Sequence, residues 1–387
     1  MRILTALTYY RPHISGLTIY TERLAKALAN LGHDVTILTS QFDPQTPPEE
    51  RRDGVRIVRV PVLFRISKGV IMPTIGIHAT KLVKANDVVH LHLPQFDAAG
   101  IALRGRLLKK PTVLTYHCDL KLPPGLFNRV ANNAVHVMNH IAATSAHRIV
   151  TYTDDFARHS PYTARYYNKV ETILPPVILP DTTEEDIQHF ASQYNHDARS
   201  PVIGMAARFA AEKGVEDFLD AFPKVLQVYP NALVLYAGQY EDVMGEEEYA
   251  HRLFPIIKEY QAKGQWRFLG VLNPTQMAEF YSNLDALVVP SLNSTESFGL
   301  VQIEAMMNGV PVVASNLPGV RQPVSITKMG MIFNIGDAEG LAVALLTILN
   351  ESEKYTGDPE AITLQFSPSN NAKAYEDLYK KILMEIH

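Results

Sequence analysis

Short apolar runs alternate along this chain with longer stretches whose apolar residues recur every three or four positions. Residues 2–8 (RILTALT) read as a buried strand, and the polar loop YYRPHISG follows. TIYTERLAKALANL then puts Ile19, Leu24, Leu28 and Leu31 at helical spacing, with Gly32 placed as a C-terminal stop. VTILTS (35–40) is the next strand, and DVVHLHL (87–93) and TVLTYH (112–117) continue the series. The same alternation restarts after residue 200 with VIGMAA, ALVLYAG, RFLG, ALVVPS and PVVAS. Strands separated by helices imply parallel sheets with right-handed crossovers.

Between the two series lies ETILPPVILPDTTEED (171–186), rich in proline, threonine and acid, which reads as an interdomain linker. The pattern predicts two doubly wound α/β domains, 1–178 and 179–366. A C-terminal helix over 367–387 is expected to return to the first domain, with Ala374, Leu378, Ile382 and Ile386 on one stripe. In such domains ligands bind outside the carboxyl ends of the strands, so the crevice between the two is the expected site.

At 387 residues, 47% hydrophobic and 20% charged, the chain has apolar material for two to three domains and does not fit disorder, collagen, a disulfide scaffold or a coiled coil. The apolar stretch 63–77 is broken by Arg65, Lys68 and Pro73 and falls short of the roughly 18 residues a membrane span needs. MRILTALTYY has no long apolar run or small-residue cleavage site, and the single cysteine, Cys118, cannot form an intrachain disulfide. A cytoplasmic address is expected. Residues 1–190 hold 22 Lys and Arg against 16 Asp and Glu, whereas residues 191–387 hold 14 against 24. A basic N-terminal half suits a phosphate-bearing acceptor or peripheral contact with the anionic inner face of a membrane; unevenly distributed solvated charge is the plainer explanation.

The richest chemistry lies in DALVVPSLNSTESFGLVQIEAMMNGVPVVAS (285–315). A strand ends at Pro290, a polar loop follows, and a helix is expected from Ser297 or Phe298 to Gly309. The amides of Phe298, Gly299 and Leu300 would then be unpaired donors at a positive helix end, suited to phosphate or oriented hydroxyls. Glu296 stands at that mouth. Glu304 falls inside an otherwise apolar helix, where a buried carboxylate needs donors from either a polyol ligand or the protein itself. In VIGMAARFAAEKGVEDF, Arg208 and Lys213 occupy the loop after a strand, before Gly214 opens a helix. Two cations at the carboxyl end of a parallel strand suit a pyrophosphate, although either alone reads as surface charge.

Taken together, these residues resemble the retaining glycosyltransferases of the GT-B fold, in particular glycosyltransferase family 4. The resemblance rests on Glu296 and Glu304 with seven residues between them, the Arg208 and Lys213-Gly214 spacing, the Gly16 loop, and His117 at the end of an N-domain strand. It implies that Glu304 grips the nucleotide ribose, while Glu296 and the amides of Phe298, Gly299 and Leu300 hold donor-sugar hydroxyls. It further implies that Arg208 and Lys213 bind the diphosphate, Gly16 lets the backbone approach it, and His117 faces the reacting sugar. Val271 and Leu272, after Gly270, match the loop that contacts the base. Such enzymes are thought to use front-face displacement with no enzymic nucleophile. The resemblance thus implies a hexosyltransferase taking a UDP- or GDP-linked donor and passing the sugar to a glycan, lipid-linked or small-molecule hydroxyl, as in polysaccharide assembly. His117 and Glu296 would stand at the reacting centre. No Asp-x-Asp occurs, which agrees with charge neutralisation by Arg208 and Lys213 instead of a metal ion; no cofactor beyond the nucleotide-sugar and no nucleic-acid partner are expected. The chain departs from the family pattern at Leu17, Cys118 and Gln322, which bears on donor choice more than on membership.

Other signals compete less well. His90-x-His92 has a spacing that can hold zinc but lacks a third ligand nearby in sequence. IALRGRLLKK (101–110) sets Arg104, Arg106, Lys109 and Lys110 around Leu103 and Leu107 and reads as either a membrane-facing or a solvated helix; residues 123–141 are a second candidate for an acceptor or bilayer surface. The rival functions are a nucleotide-sugar epimerase of the same fold and a non-catalytic nucleotide- or carbohydrate-binding protein. A nicotinamide dehydrogenase is disfavoured because no Gly-x-Gly-x-x-Gly follows the first strand.

Overall fold

A computed structural model describes residues 1–66, 69–120 and 126–386. It divides into two units, the first comprising Met1–Pro176 with Phe366–His387 and the second Val177–Gln365.

The first unit is built on β1 (Arg2–Ala6), β2 (Asp34–Gln41), β3 (Glu49–Arg52) and β4 (Val55–Pro61), with a separate antiparallel pair, β5 (Phe64–Ile66) and β6 (Gly69–Ile71), followed by β7 (Val88–Leu93), β8 (Thr112–Tyr116), β9 (Arg148–Thr151) and β10 (Val170–Thr172). The sheet order is β10-β9-β8-β7-β1-β2-β4-β3, parallel except for β3 at one edge. Its principal helices are α1 (Gly16–Asn30), α2 (Ile75–Ala85), α3 (Ala98–Leu107), α4 (Leu126–Ser145) and α5 (Asp154–His159). Strands β1 and β7 are neighbours, and the chain winds away from them in opposite directions. The loop after β1, which ends at Gly16, therefore leaves the sheet at a topological switch point. Ser15 caps α1 by accepting from the Thr18 amide, and Gly32, at φ 87°, ends it in the left-handed region.

The second unit carries β11 (Val202–Ala206), β12 (Leu233–Ala237), β13 (Trp266–Gly270), β14 (Ala286–Val289), β15 (Val312–Ser315) and β16 (Gly330–Phe333), in the order β13-β12-β11-β14-β15-β16 and all parallel. Helices α6 (Glu184–Tyr194), α7 (Val215–Val228), α8 (Glu247–Ala262), α9 (Pro274–Ser282), α10 (Leu300–Met306), α11 (Gln322–Thr327), α12 (Ala338–Asn350) and α13 (Pro359–Gln365) surround it. This is the doubly wound, Rossmann-like order, with its switch point between β11 and β14. One core joins Phe218, Phe222 and Trp266 to Leu341 and Leu345, which ties α7 and α12 to the sheet. The final helix, α14 (Pro368–Ile386), lies in the first unit.

Three expectations need correction. Residues 171–186 are not continuous linker, because β10 takes up their start and α6 their end. Thr183 and Asp186 close a capping box there, and that reciprocal pair turns an acidic stretch into a helix start. The buried face of α14 is carried by Tyr375, Leu378, Tyr379 and Ile382, with Ala374 and Ile386 only partly covered; the tyrosines bury their rings because their hydroxyls find partners. Arg104 turns inward, where it donates to Thr80 Oγ1 and the Gly100 carbonyl and so joins α2 to α3 instead of presenting charge outward. Arg106, Leu103 and Leu107 do remain exposed, while residues 123–125 of the second candidate surface lie outside the described residues. No helix among the described residues is long and apolar enough to cross a membrane.

Gly214 has φ 70°, and a Cβ built on it would meet the Pro290 carbonyl oxygen at 2.0 Å. Gly270 has a similar φ of 72° but open space around it. Gly214→Ala is therefore expected to cost well over about 2 kcal/mol and Gly270→Ala about 1 kcal/mol, as read by urea unfolding.

Candidate functional site

At the switch point of the second unit, the loops after β11 and β14 are stitched together. The Leu292 amide donates to the Glu212 carbonyl at 2.9 Å, and Gly214 packs on the Pro290 carbonyl. This contact puts Lys213 beside Glu296, with Nζ 2.7 Å from Oε2. Sequence reasoning assigns these two residues separate tasks and does not pair them. Both are shielded, at 16% and 25% side-chain exposure. Arg208 donates instead to Glu212 at 2.9 Å and is about half exposed.

Glu296 also alters the expected helix start. Its Oε1 accepts from the Gly299 amide at 2.9 Å, and it takes the Phe298 amide as well. Two of the three amides expected to be unpaired are thus held by a side chain, and the helix opens at Leu300 instead of Ser297 or Phe298. Gly299, at φ 79°, supplies the left-handed residue before it. The helix ends at Met306, before the turn that closes on Gly309. Burial pushes the Glu296 carboxyl up, but Lys213 and the two amides outweigh burial and hold it below the ordinary carboxylate value.

Glu304 is 9% exposed on α10, and the Tyr281 hydroxyl donates to its Oε2 at 3.0 Å. The protein therefore supplies part of what this carboxylate needs, and Tyr281, on α9, had no signal in the sequence beyond a helical spacing shared with many core residues. Gln302 is another residue that sequence reasoning missed. It is fully buried and donates to the Phe298 and Val320 carbonyls at 2.8 Å each, tying the loop after β14 to the turn before α11. Val271 is largely exposed and Leu272 less so, on the loop that follows β13 at Gly270.

In the first unit, Gly16 opens α1, and a Cβ added there would meet nothing within 4 Å, so its own surroundings do not demand a glycine. His117, just past β8, is only 5% exposed. Its Nε2 lies 2.8 Å from His92 Nδ1, and its Nδ1 is bonded to the Tyr152 hydroxyl. The imidazole is thus a buried, hydrogen-bonded one, and a substrate hydroxyl reaches it only by replacing a partner. His90 stacks obliquely on His92 at 4.4 Å, with its nitrogens engaged by Tyr379 and Thr115 at 2.8 and 2.7 Å. Thr115 passes the chain to Tyr375 and on to Tyr20 at 2.6 and 2.8 Å. Among the described residues no group of three His, Cys, Asp or Glu is arranged to hold a metal ion.

Burial holds His90 and His117 down to about 3 and His92 well below its ordinary value, so all three are neutral in the folded protein. The unfolded chain binds protons at these residues below about pH 6.5 and the folded chain does not until about pH 3, so stability falls as pH drops through that window. Asp97, raised to about 6 by burial, acts in the opposite direction. Urea titrations between pH 7 and 5, above the ordinary carboxylate range, are expected to show a net loss approaching about 1.4 kcal/mol per pH unit for each uncompensated histidine; a flat profile would contradict the buried neutral cluster.

Comparison with known proteins adds to this geometry. Residues 186–357 match the family model described as glycosyl transferases group 1, and residues 15–169 match that of a glycosyl transferase 4-like domain. A glycogen synthase of Mycobacterium tuberculosis is 27% identical over 381 residues, covering 91% of this chain and 86% of that protein. A phosphatidyl-myo-inositol mannosyltransferase of Mycolicibacterium smegmatis is 24% identical over 366 residues, covering 92% and 87%. Among solved structures, Anabaena HepE in complex with UDP superposes with a TM-score of 0.74 at 18% identity, covering 98% of this chain and 100% of that one. Sucrose-phosphate synthase from Thermosynechococcus elongatus gives 0.74 at 20% identity, with 99% of each chain covered.

Proposed function

The chain belongs to the glycosyltransferases of the GT-B fold, with a family-4-like N-terminal module and a group 1 C-terminal module, and on that premise we propose that it moves a hexose from a nucleotide-diphosphate sugar to a hydroxyl acceptor with retention of configuration. The observation that carries this reading is the stitched pair of loops in the second unit, which brings Lys213 and Glu296 together at the carboxyl edge of β11 and β14, with the Phe298 and Gly299 amides held by that carboxylate. A cation beside a carboxylate there suits a diphosphate and the hydroxyls of the sugar it bears.

In this reading Arg208 and Lys213 take the diphosphate and stabilise the charge that grows on it as the sugar leaves. Glu296 accepts from sugar hydroxyls, and the amides of Phe298, Gly299 and Leu300 donate to hydroxyl oxygens, the first two by exchange of their bond to Glu296. Glu304, already partnered by Tyr281, receives the ribose, and the loop of Val271 and Leu272 meets the base. For the first unit, the reading assigns Gly16 to backbone approach at the phosphate and His117 to the sugar, by exchange of one ring partner. The bond from the anomeric carbon to the phosphate oxygen breaks as the acceptor oxygen bonds to the same face. The acceptor's proton passes to the leaving phosphate, so no separate enzymic base is called for, and in this reading Arg208 and Lys213 do the charge neutralisation that a divalent ion would otherwise do.

The donor is proposed to be UDP- or GDP-linked and the acceptor a glycan or lipid-linked glycan. Glycogen synthase and mannosyltransferase relatives support the general class, and the basic N-terminal half supports an anionic or membrane-borne acceptor with peripheral contact at the inner face.

A nucleotide-sugar panel read by thermal shift, donor hydrolysis and transfer, with and without chelator, tests the reading. One stabilising donor, turned over in the presence of chelator with the anomeric configuration kept in the product, is the expected outcome. Release of free sugar in an epimerised form would favour the epimerase rival, and absence of turnover in the presence of acceptor extracts the binding-protein rival. Arg208→Ala with Lys213→Ala is expected to weaken nucleoside diphosphate binding by about 100-fold in calorimetry, in line with the loss of two charge-assisted contacts. Glu296→Ala is expected to abolish transfer while nucleoside diphosphate still binds; loss of both together would contradict a sugar-facing carboxylate.

A further inference from the structure

The contact between Lys213 and Glu296 has a consequence for the two nucleotide species that this reaction handles. The inference rests on the reading that Lys213 takes the diphosphate. Glu296 commits one carboxylate oxygen to the Lys213 ammonium at 2.7 Å and the other to the Gly299 amide at 2.9 Å. A phosphate arriving at Lys213 has to share the ammonium with this fixed negative charge. Both side chains are shielded from bulk water, so screening is weak and like charges repel more strongly than on an open surface. Arg208 repeats the pattern with Glu212, but there the cation is about half exposed and the pair contributes little.

Loaded and spent nucleotides meet this carboxylate differently. A nucleotide-sugar brings hydroxyl protons that a carboxylate accepts, which offsets the repulsion of its phosphates. A nucleoside diphosphate brings anionic oxygens and no such donor at that position. We propose that Glu296 makes the site prefer the loaded nucleotide-sugar over the spent nucleoside diphosphate, loosening the product once the sugar has gone. The carboxylate that receives the sugar thus also weakens the hold on what the sugar leaves behind.

Glu296→Gln keeps the side chain's length and the carbonyl oxygen that can accept from Gly299 but removes the charge. Calorimetry at fixed ionic strength would compare inorganic pyrophosphate, the diphosphates UDP, GDP and ADP, and the corresponding glucose- and mannose-linked donors. In Glu296→Gln, pyrophosphate and the cognate nucleoside diphosphate are expected to bind about ten-fold tighter, while the preference for the loaded donor shrinks by at least as much. Glu296→Asp retains the charge and is expected to show no tightening. Unchanged or weaker pyrophosphate and diphosphate binding in Glu296→Gln overturns the proposal, as does equal tightening of loaded and spent nucleotides. If Glu296→Gln does not fold by thermal melting, Glu296→Ala replaces it under the same expectations. Lys213→Ala in the otherwise native chain separates the two levels. Loss of pyrophosphate binding there supports the diphosphate reading whatever Glu296→Gln does, and unchanged binding overturns that reading and the proposal with it.

Discussion

The second unit depends on there being no side chain at residue 214. The backbone of Gly214 lies so close to the Pro290 carbonyl that a single added carbon would collide, and it does so in a left-handed conformation. That approach lets the loop after β11 lie against the loop after β14 at the point where the sheet reverses its winding. Lys213 comes beside Glu296 for this reason, and Glu296 in turn holds the Phe298 and Gly299 amides and delays the helix to Leu300. Sterics at one glycine thus set the electrostatics of the whole constellation.

The first unit solves a different problem. Three histidines lie on one face of adjacent strands under α1 and α14, and buried imidazoles need partners for both ring nitrogens. Tyrosine and threonine hydroxyls meet most of that need, through Tyr152 for His117 and through Tyr379 and Thr115 for His90. His92 Nε2 is left without a partner. The cluster is polar yet neutral, which is how it can occupy the interior beside aromatic rings without a counter-ion.

Much of this is legible in the sequence. Parallel strands buried on both faces leave unbroken apolar runs, so most strands showed directly in the sequence. Arg208, Lys213, Glu296 and Glu304 were visible because charge is rare beside such runs. Their partners were not. Nothing in the spacing of Tyr281 distinguishes it from a core tyrosine, and the meeting of Lys213 with Glu296 spans 83 positions of sequence through a backbone approach that only three dimensions reveal. The short β3, β5, β6, β9, β10 and β16 are not marked by the pattern because they are polar, brief or at edges, where alternation has too few residues to register, and the longer β4 is interrupted by Arg56 and Arg59. The stripe on α14 was misjudged. The face also includes Tyr375 and Tyr379, each of which buries a ring and satisfies one hydroxyl.

The return of α14 to the first unit makes the second unit an insertion within the first, entered at residue 177 and left at residue 365. All six strands of the second unit precede Tyr375 and Tyr379 in the chain and so are synthesised before them. His90 must wait 289 positions for the hydroxyl that meets its Nδ1, and Thr115 waits 260 for Tyr375. Domains tend to fold as units in the order they emerge. Here that order is crossed, for the domain begun first is the one finished last, and His90 and Thr115 lack their α14 partners until the whole of the second domain's chain has been made.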